Sequence, residues 1–262
     1  MDPVLFSLLF IFGACIGSFL NVVIFRLPKN MSLFVPASHC FACKTPVKIS
    51  DNIPILGYFI LRGKCRTCKT SFSSRYALVE FFSAIITCLI FFIFNFSEYF
   101  FIYTSLTYAL IAITFIDLDH LIIPNGFILL GLFSIFILYF FKFIPLEWKD
   151  GLLGAIVFGG FLFLLGFFGE LILKKESIGF GDVKLGIVLG GLIGFKSSVL
   201  ALYLSFFAAA VGIVFLMGLK KINRSNPIPF GPYISLGSLL TILTSTQNGE
   251  NIIINWYIRT MF

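Results

Sequence analysis

Two aspartates stand at the ends of long apolar runs in a chain that is otherwise poor in charge. Asp117 ends an uncharged run that begins at Tyr99, and Asp182 follows Gly179 and Gly181 at the head of another apolar run. An ionisable residue at membrane depth is costly, which makes it a functional candidate. Two carboxyl groups at one depth can share a proton, so that one activates water and the other protonates a scissile carbonyl. The pattern therefore favours Asp117 and Asp182 as the catalytic pair of an aspartic protease.

Other roles for these aspartates stay open at this point. A carboxylate near a helix end often caps the helix or pairs with a lysine, and Lys184 could either tune Asp182 or anchor its helix. In a transporter or channel, the same two acids would bind protons or cations at helix breaks. Such a site would lie at the midplane of the bilayer, whereas both aspartates are predicted near its inner edge.

Four cysteines form two close pairs, Cys40 with Cys43 and Cys65 with Cys68. A turn that spans three residues points both thiolates at one centre, and a second such turn completes the tetrahedral site that zinc requires. Two disulfides are the alternative, but a reducing cytoplasm disfavours them. The spacing predicts structural zinc, with His39 as a surface residue rather than a ligand.

The elements that must position these residues are membrane helices. Of the 262 residues, 59% are hydrophobic and 12% are charged, which is typical of a polytopic membrane protein. Apolar runs long enough for transmembrane helices recur along the chain. The eight candidate spans are 3–25, 77–97, 99–117, 121–141, 151–173, 183–195, 197–219 and 228–246. The first is predicted to remain as a helix because it has neither the basic start nor the short length of a signal peptide.

Basic residues predict the orientation of these spans. With the N-terminus outside, all but four of the 19 Lys and Arg residues fall on the inner side. The net charge of +7 is therefore attributed to membrane orientation and anionic lipid, and nucleic acid is not expected as a partner. The predicted fold is all-α, with about eight transmembrane helices and a small zinc-binding cytoplasmic loop.

The polar stretches divide the chain into four predicted parts. Residues 1–27 form the first transmembrane helix, and 28–76 form the cytoplasmic four-cysteine loop. Residues 77–246 form a seven-helix peptidase core. The tail 247–262 carries Trp256 and Tyr257 and suits the membrane interface.

Several motifs together resemble one known family. In chain order they are "GSFLNVVIFRLP" (17–28), "CFAC" and "CRTC", "SRYALVEFF" (74–82), "DLDHLIIPN" (117–125), "GFGDVKL" (179–185) and "PIPFGPY" (227–233). The chain resembles the bacterial type IV prepilin peptidases, which are also N-methyltransferases and intramembrane aspartic proteases with a GxGD motif. Ala77 is one departure, because the family commonly has Pro before "LVE".

The resemblance implies two reactions at the cytoplasmic face of the bacterial inner membrane. The leader of a type IV prepilin or pseudopilin would be cleaved after a glycine, and the new N-terminal residue would then be methylated with S-adenosylmethionine. The family's catalytic aspartates fall on Asp117 and Asp182, and Asp119 is not one of the pair. Some relatives lack the cysteine loop and act as peptidases alone, so a peptidase without methyltransferase activity is the nearer alternative.

The resemblance also implies that the cysteine loop serves the methyl transfer. Gly63 and Lys64 directly precede Cys65 at matching positions, and polar residues at the inner rim extend the set of cofactor-binding candidates. That set is Asn21, Arg26, Gly63, Lys64 and Glu80. Interfacial anchoring or helix capping is the alternative for Arg26, Lys64, Asn21 and Glu80. The sequence indicates no oligomeric state.

Overall fold

The computed structural model describes residues 3–143, 146–174, 178–220, 228–247 and 249–261. Within these ranges the chain forms ten α-helices, short 3₁₀ turns and three isolated β-bridges, with no strand. The all-α prediction is confirmed. The helices are α1 (Pro3–Arg26), α2 (Leu56–Ile60), α3 (Arg75–Phe94), α4 (Glu98–His120), α5 (Asn125–Phe140), α6 (Trp148–Leu173), α7 (Phe180–Ile193), α8 (Phe195–Gly218), α9 (Gly231–Leu243) and α10 (Ile252–Met261).

Five of these helices, α1, α3, α4, α6 and α8, are long and apolar enough to cross a bilayer. Three more predicted spans, α5, α7 and α9, are shorter, with 16, 14 and 13 residues. At 1.5 Å per residue these three are only about 20–24 Å long, against about 30 Å of hydrocarbon. Each of these three helices is therefore shorter than the hydrocarbon core is thick.

Some residues used in the sequence predictions lie outside the described residues. They are Lys175, Lys221 and Arg224 of the predicted inner set, Met1 and Asp2 of the first predicted part, Pro227 of the last motif, and Asn248 and Phe262 of the tail.

The chain divides into two compact units, Met1–Phe92 and Ile93–Phe262. In the first unit, α1 packs against α3 through two glycines. A Cβ on Gly13 would lie 2.8 Å from the Ala84 Cα, and one on Gly17 would lie 2.6 Å from the Glu80 Cα. Glycines four residues apart thus let the two backbones meet, as small residues do in membrane helix pairs.

In the second unit, α7 packs closely against α6, while α9 packs against both α4 and α8. The α6–α7 contact also depends on glycine, because a Cβ on Gly190 would lie 2.2 Å from the Gly154 carbonyl oxygen. Close backbone packing buries most of α7, including Leu185 and Leu189, while Phe180 at its start is exposed. Asp182, in the first turn of α7, therefore belongs to a helix that is packed along most of its length.

The C-terminal helix α10 has a different character from the predicted spans. It has ten residues, exposes Trp256, Tyr257 and Ile258, and carries Arg259 in its last turn. Asn251 caps the helix, since its side-chain oxygen accepts the backbone N–H of Ile253 at 3.0 Å. Aromatic rings beside a cation suit an interfacial helix, as the sequence predicts.

Candidate active site and metal site

Asp117 lies near the C-terminal end of α4 and is only 5% exposed. Its Oδ2 accepts a hydrogen bond of 3.0 Å from the backbone N–H of Gly231, the first residue of α9. A Cβ on Gly231 would lie 2.7 Å from this oxygen, so a side chain here would collide with the carboxylate. The start of α9 therefore fixes the position of Asp117.

Asp182 lies in the first turn of α7 and is 8% exposed. Gly179 is the N-cap residue, and its backbone N–H donates to the Asp182 carboxylate. Helices often begin with a carboxylate at the third position that accepts a hydrogen bond from the backbone N–H of the N-cap residue. Its Oδ1 is buried and has no hydrogen-bond partner among the described residues. That oxygen can accept a water or substrate proton.

The two carboxyl groups lie within range of direct electrostatic interaction with each other. The structure thus brings together the two aspartates that were predicted as a pair, although they are far apart in sequence. Neighbouring carboxyl groups favour a state in which they share one proton. Such a pair can act as base toward water and as acid toward a carbonyl. Asp119 and His120, by contrast, are exposed at the end of α4.

Lys184 does not form an ion pair with Asp182 among the described residues. Its Nζ donates instead to the Asn125 Oδ1 at 3.1 Å, and it lies 5.0 Å from the centre of the Phe180 ring. Lys184 therefore connects the start of α7 to the start of α5. The sequence left two roles open for Lys184, tuning Asp182 or anchoring its helix, and this contact favours anchoring.

The four cysteines of the loop form one cluster, whose sulfurs all lie within 4.8 Å of one another. The Sγ atoms of Cys40 and Cys68 are 3.7 Å apart, and those of Cys43 and Cys65 are 3.9 Å apart. A tetrahedral centre with Zn–S bonds of about 2.3 Å places its sulfurs about 3.8 Å apart. The cluster has the size and ligand chemistry of a four-cysteine metal site.

The two halves of this cluster are copies of one turn. The sequence "CFACKT" (40–45) matches "CRTCKT" (65–70), and the same hydrogen bonds recur. Cys40 N–H donates to the Thr45 carbonyl at 3.0 Å, and Cys65 N–H donates to the Thr70 carbonyl at 2.9 Å. The lysine of each copy has a positive φ, which is 59° for Lys44 and 61° for Lys69.

The threonine of each turn lies beside the second cysteine. The Thr45 hydroxyl is 3.3 Å from the Cys43 sulfur, and the Thr70 hydroxyl is 3.3 Å from the Cys68 sulfur. Hydrogen bonds from the side chain and backbone of Thr70 lower the pKa of Cys68 to about 6, and those from Thr45 also lower the pKa of Cys43. Each turn therefore favours the thiolate of its second cysteine, and the thiolate is the metal-binding form.

A cavity of about 990 Å³ lies within the first unit, and its walls include α1, α3 and the cysteine loop. Three of the five predicted cofactor-binding residues, Asn21, Arg26 and Glu80, line it. Gly63 and Lys64 are not among its lining residues. Gly63 is instead part of the second cysteine turn, where its carbonyl accepts the Phe72 N–H at 2.8 Å.

The three lining residues are held by backbone groups. The Asn21 side chain donates to the Tyr76 carbonyl at 3.0 Å. The buried Arg26 guanidinium donates to the carbonyls of Ser32 and Pro36 at 2.9 and 2.6 Å. The first contact joins α1 to α3, and the other two fold the start of the loop back onto α1.

Two family descriptions match the chain. Residues 11–94 match the bacterial peptidase A24 N-terminal domain, and residues 104–214 match the type IV leader peptidase family. The chain belongs to the type IV leader peptidase family. Its first compact unit corresponds closely to the first match, and both aspartates lie within the second.

Characterised relatives extend this match over almost the whole chain. A prepilin leader peptidase/N-methyltransferase of Aeromonas salmonicida is 32% identical over 98% of this chain and 94% of its own length. The enzyme of the same name from Pseudomonas aeruginosa is 33% identical over 90% of this chain and 89% of its own. A type 4 prepilin-like proteins leader peptide-processing enzyme of Escherichia coli is 34% identical over 88% of this chain and 90% of its own. No solved structure significantly matches the chain.

Gly231 and Ile55 are residues that the sequence reasoning missed. Gly231 contacts Asp117, and the Ile55 N–H donates to the Glu80 Oε2 at 2.6 Å. Gly231 lies between Phe230 and Pro232 at a helix start. A glycine at such a position could have indicated a functional role, since it lets another group come close to the backbone. No sequence signal marks Ile55.

Proposed function

We propose that this chain is a membrane aspartic endopeptidase and N-methyltransferase. It removes the leader of type IV prepilins and pseudopilins after a glycine, and then methylates the new N-terminal residue with S-adenosylmethionine. The observation that carries the peptidase assignment is the burial of Asp117 beside Asp182, with one Asp182 oxygen that has no hydrogen-bond partner in the part of the chain that the structure describes. The family membership of the chain supports the same conclusion.

In the proposed cleavage, the two carboxyl groups hold one proton between them. The ionised carboxylate removes a proton from water, which attacks the scissile carbonyl, and the protonated partner donates to the carbonyl oxygen. The Gly231 N–H keeps Asp117 in place, and the Gly179 N–H does the same for Asp182. General acid–base catalysis of this kind contributes about 10²–10⁴-fold to a rate.

The short helices of the second unit support access by an extended substrate. The start of α7 carries Asp182, and the start of α9 contacts Asp117. The start of α5 is joined to α7 by the bond between Asn125 and Lys184. Backbone outside a helix is tolerated at membrane depth where it lines a wet cavity or is covered by protein. The substrate segment around the cleavage site, once unwound from its helix, would find hydrogen-bond partners for its backbone there.

We infer that the four-cysteine cluster holds zinc as a structural ion. Four thiolates fill a tetrahedral coordination sphere, so no position is left open for substrate. Cys40, Cys43, Cys65 and Cys68 would then fix the loop 28–76, which is too small to build a substantial core of its own.

The proposed location is the bacterial inner membrane, surrounded by lipid. The excess of Lys and Arg in the loop 28–76 supports a cytoplasmic position for that loop, with the N-terminus outside. The two aspartates then lie near the cytoplasmic face, where the basic leader of a prepilin would be found.

The peptidase assignment is tested with the Asp117→Asn and Asp182→Asn variants in detergent. Leader removal from a purified prepilin is followed by mass spectrometry, and each variant is expected to slow it by at least about 10²-fold. Asp119→Asn is the matched control, because its carboxyl group is exposed two residues away. Cleavage by either dyad variant at the rate of the control would refute the assignment.

A further inference from the structure

The cavity of the first unit has the size and lining expected for methyl transfer, and the inference drawn from it rests on the proposed function. Its volume of about 990 Å³ lies at the upper end of the range of about 300–1,000 Å³ found for pockets that hold small molecules. The rings of Tyr58 and Phe72 are among its lining residues. Aromatic faces attract cations such as a sulfonium.

A peptide amine needs a proton acceptor before it can take a methyl group. An α-amino group has a pKa of about 7.7–8.0, so it is mostly protonated at neutral pH and then lacks a free electron pair. The methyl donor is also positively charged at sulfur. A carboxylate in the cavity would offset both charges and accept the amine proton.

Among the described residues, two acids line the cavity, Asp51 and Glu80. The Arg66 guanidinium binds Asp51, with Nε 2.8 Å from Oδ2, and this contact holds the pKa of Asp51 below its usual range. Glu80 forms no ion pair within the described residues. Its contacts are the Ile55 N–H at 2.6 Å and the Ser18 hydroxyl, so it keeps free acceptor positions.

The backbone that holds Glu80 is strained. Ile55 has φ 64° and ψ −58°, and the Leu56 N–H donates to the Pro54 carbonyl at 2.7 Å across it. This is a γ-turn of the rare positive-φ kind, and a β-branched residue is an outlier there. The turn points the Ile55 N–H at Glu80. Strained residues of this kind cluster at functional sites.

We propose that Glu80 is the proton acceptor of the methyl transfer. Glu80 takes one proton from the ammonium group of the new N-terminus and becomes a carboxylic acid. The freed nitrogen electron pair forms a bond to the methyl carbon while the carbon–sulfur bond breaks. Its electron pair stays on sulfur, which becomes a neutral thioether, and the methylated amine keeps its remaining protons and carries the positive charge.

Glu80→Gln separates this role from a structural one. The amide oxygen of Gln can still accept the Ile55 N–H, but the amide cannot take up a proton. Glu98→Gln is the matched control, because Glu98 is exposed on α4 and outside the cavity. The substrate is a synthetic peptide with a free N-terminal amine, so that the assay does not depend on leader cleavage.

Methyl transfer from labelled S-adenosylmethionine is measured over a range of pH, and binding of S-adenosylhomocysteine is measured by calorimetry. Relative to the wild-type protein, Glu80→Gln is expected to be slower by about 10²-fold or more near pH 6.5. The deficit should shrink to about tenfold near pH 9, where the amine loses its proton to solvent. Binding of S-adenosylhomocysteine should change by less than about threefold, an amount far below the kinetic effect.

A deficit of equal size at both pH values, no deficit, or loss of S-adenosylhomocysteine binding would each overturn the role of Glu80. Failure of the proposed function would look different. The wild-type protein itself would then transfer no methyl group to the peptide at any pH.

Discussion

The Gly231 backbone N–H donates to the Asp117 Oδ2 across 3.0 Å, although 114 residues separate the two in sequence. The bond comes from the first residue of α9, where the helix leaves its backbone N–H groups without partners inside the helix. The positive end of the helix dipole also favours a carboxylate at this position. One interaction thus satisfies the helix start and fixes a proposed catalytic group.

Gly231→Ala is expected to impair leader cleavage. The added Cβ would lie 2.7 Å from the Asp117 Oδ2 and 3.2 Å from its Cγ, so the carboxylate must move. A displacement of about 1 Å at a reacting group can cost about 10²-fold in rate. We expect a loss of that order in leader removal from a purified prepilin, measured by mass spectrometry.

Gly160→Ala is the control for this prediction. Gly160 lies within α6, and a Cβ there would meet no atom within 4 Å. The substitution adds the same methyl group to a membrane helix and should leave cleavage within about twofold of the wild-type rate, since additions to open surface cost little. Equal rates for both variants would contradict the proposed contact.

Much of the second unit could be predicted from the sequence, because apolar runs and two isolated acids are strong signals in a membrane protein. Asp117 and Asp182 could be paired since both were expected at the same depth of the bilayer. The contact between Gly231 and Asp117 could not be predicted in this way. It depends on the packing of α9 against α4, which no local pattern specifies.

The first unit was less predictable. The spacing of Cys40, Cys43, Cys65 and Cys68 indicated one site, and the copied "CKT" in both turns could have indicated their shared geometry. The prediction that Gly63 and Lys64 bind the cofactor stays a prediction, because adjacency to Cys65 in sequence does not fix where a side chain lies. The strained turn at Ile55 accompanies a long-range hydrogen bond to Glu80. No local sequence pattern predicts such a contact.

Lys184→Met and Asn125→Ala are each expected to slow leader cleavage. The 3.1 Å bond between these residues connects the starts of α7 and α5, and Asp182 lies in the same turn of α7. The bond is exposed to solvent, so its loss is expected to cost about 0.5–1.5 kcal/mol, which corresponds to about two- to tenfold in rate. The measurement is the cleavage rate of each single variant and of the double variant.

The double variant decides whether the two residues act together. If the bond is the reason for both effects, the double variant should be about as slow as either single variant, because the interaction can be lost only once. Rates that fall multiplicatively would show that the two residues act independently, and the anchoring role of Lys184 would then be wrong.

Replacing Cys40 and Cys43 together by Ser should remove zinc and abolish methyl transfer. The wild-type protein is expected to hold about one zinc per chain, and the variant keeps only two of the four thiolates. Metal content is measured by atomic emission, and methyl transfer with the pre-cleaved peptide. The Cys88→Ser variant is the control, since Cys88 lies outside both the cluster and the cavity. Equal zinc in both variants would refute the four-cysteine site.

Thr70→Val is expected to weaken zinc binding while leaving the four ligands in place. The Thr70 hydroxyl lies 3.3 Å from the Cys68 sulfur and supports its thiolate, whereas the valine methyl group cannot. Removing a hydrogen bond to a metal ligand typically costs about 10–100-fold in metal affinity. Competition with a chromophoric chelator measures the change. Thr70→Ser keeps the hydroxyl and should bind zinc nearly as the wild-type protein does, so equal weakening in both variants would assign the effect to packing instead.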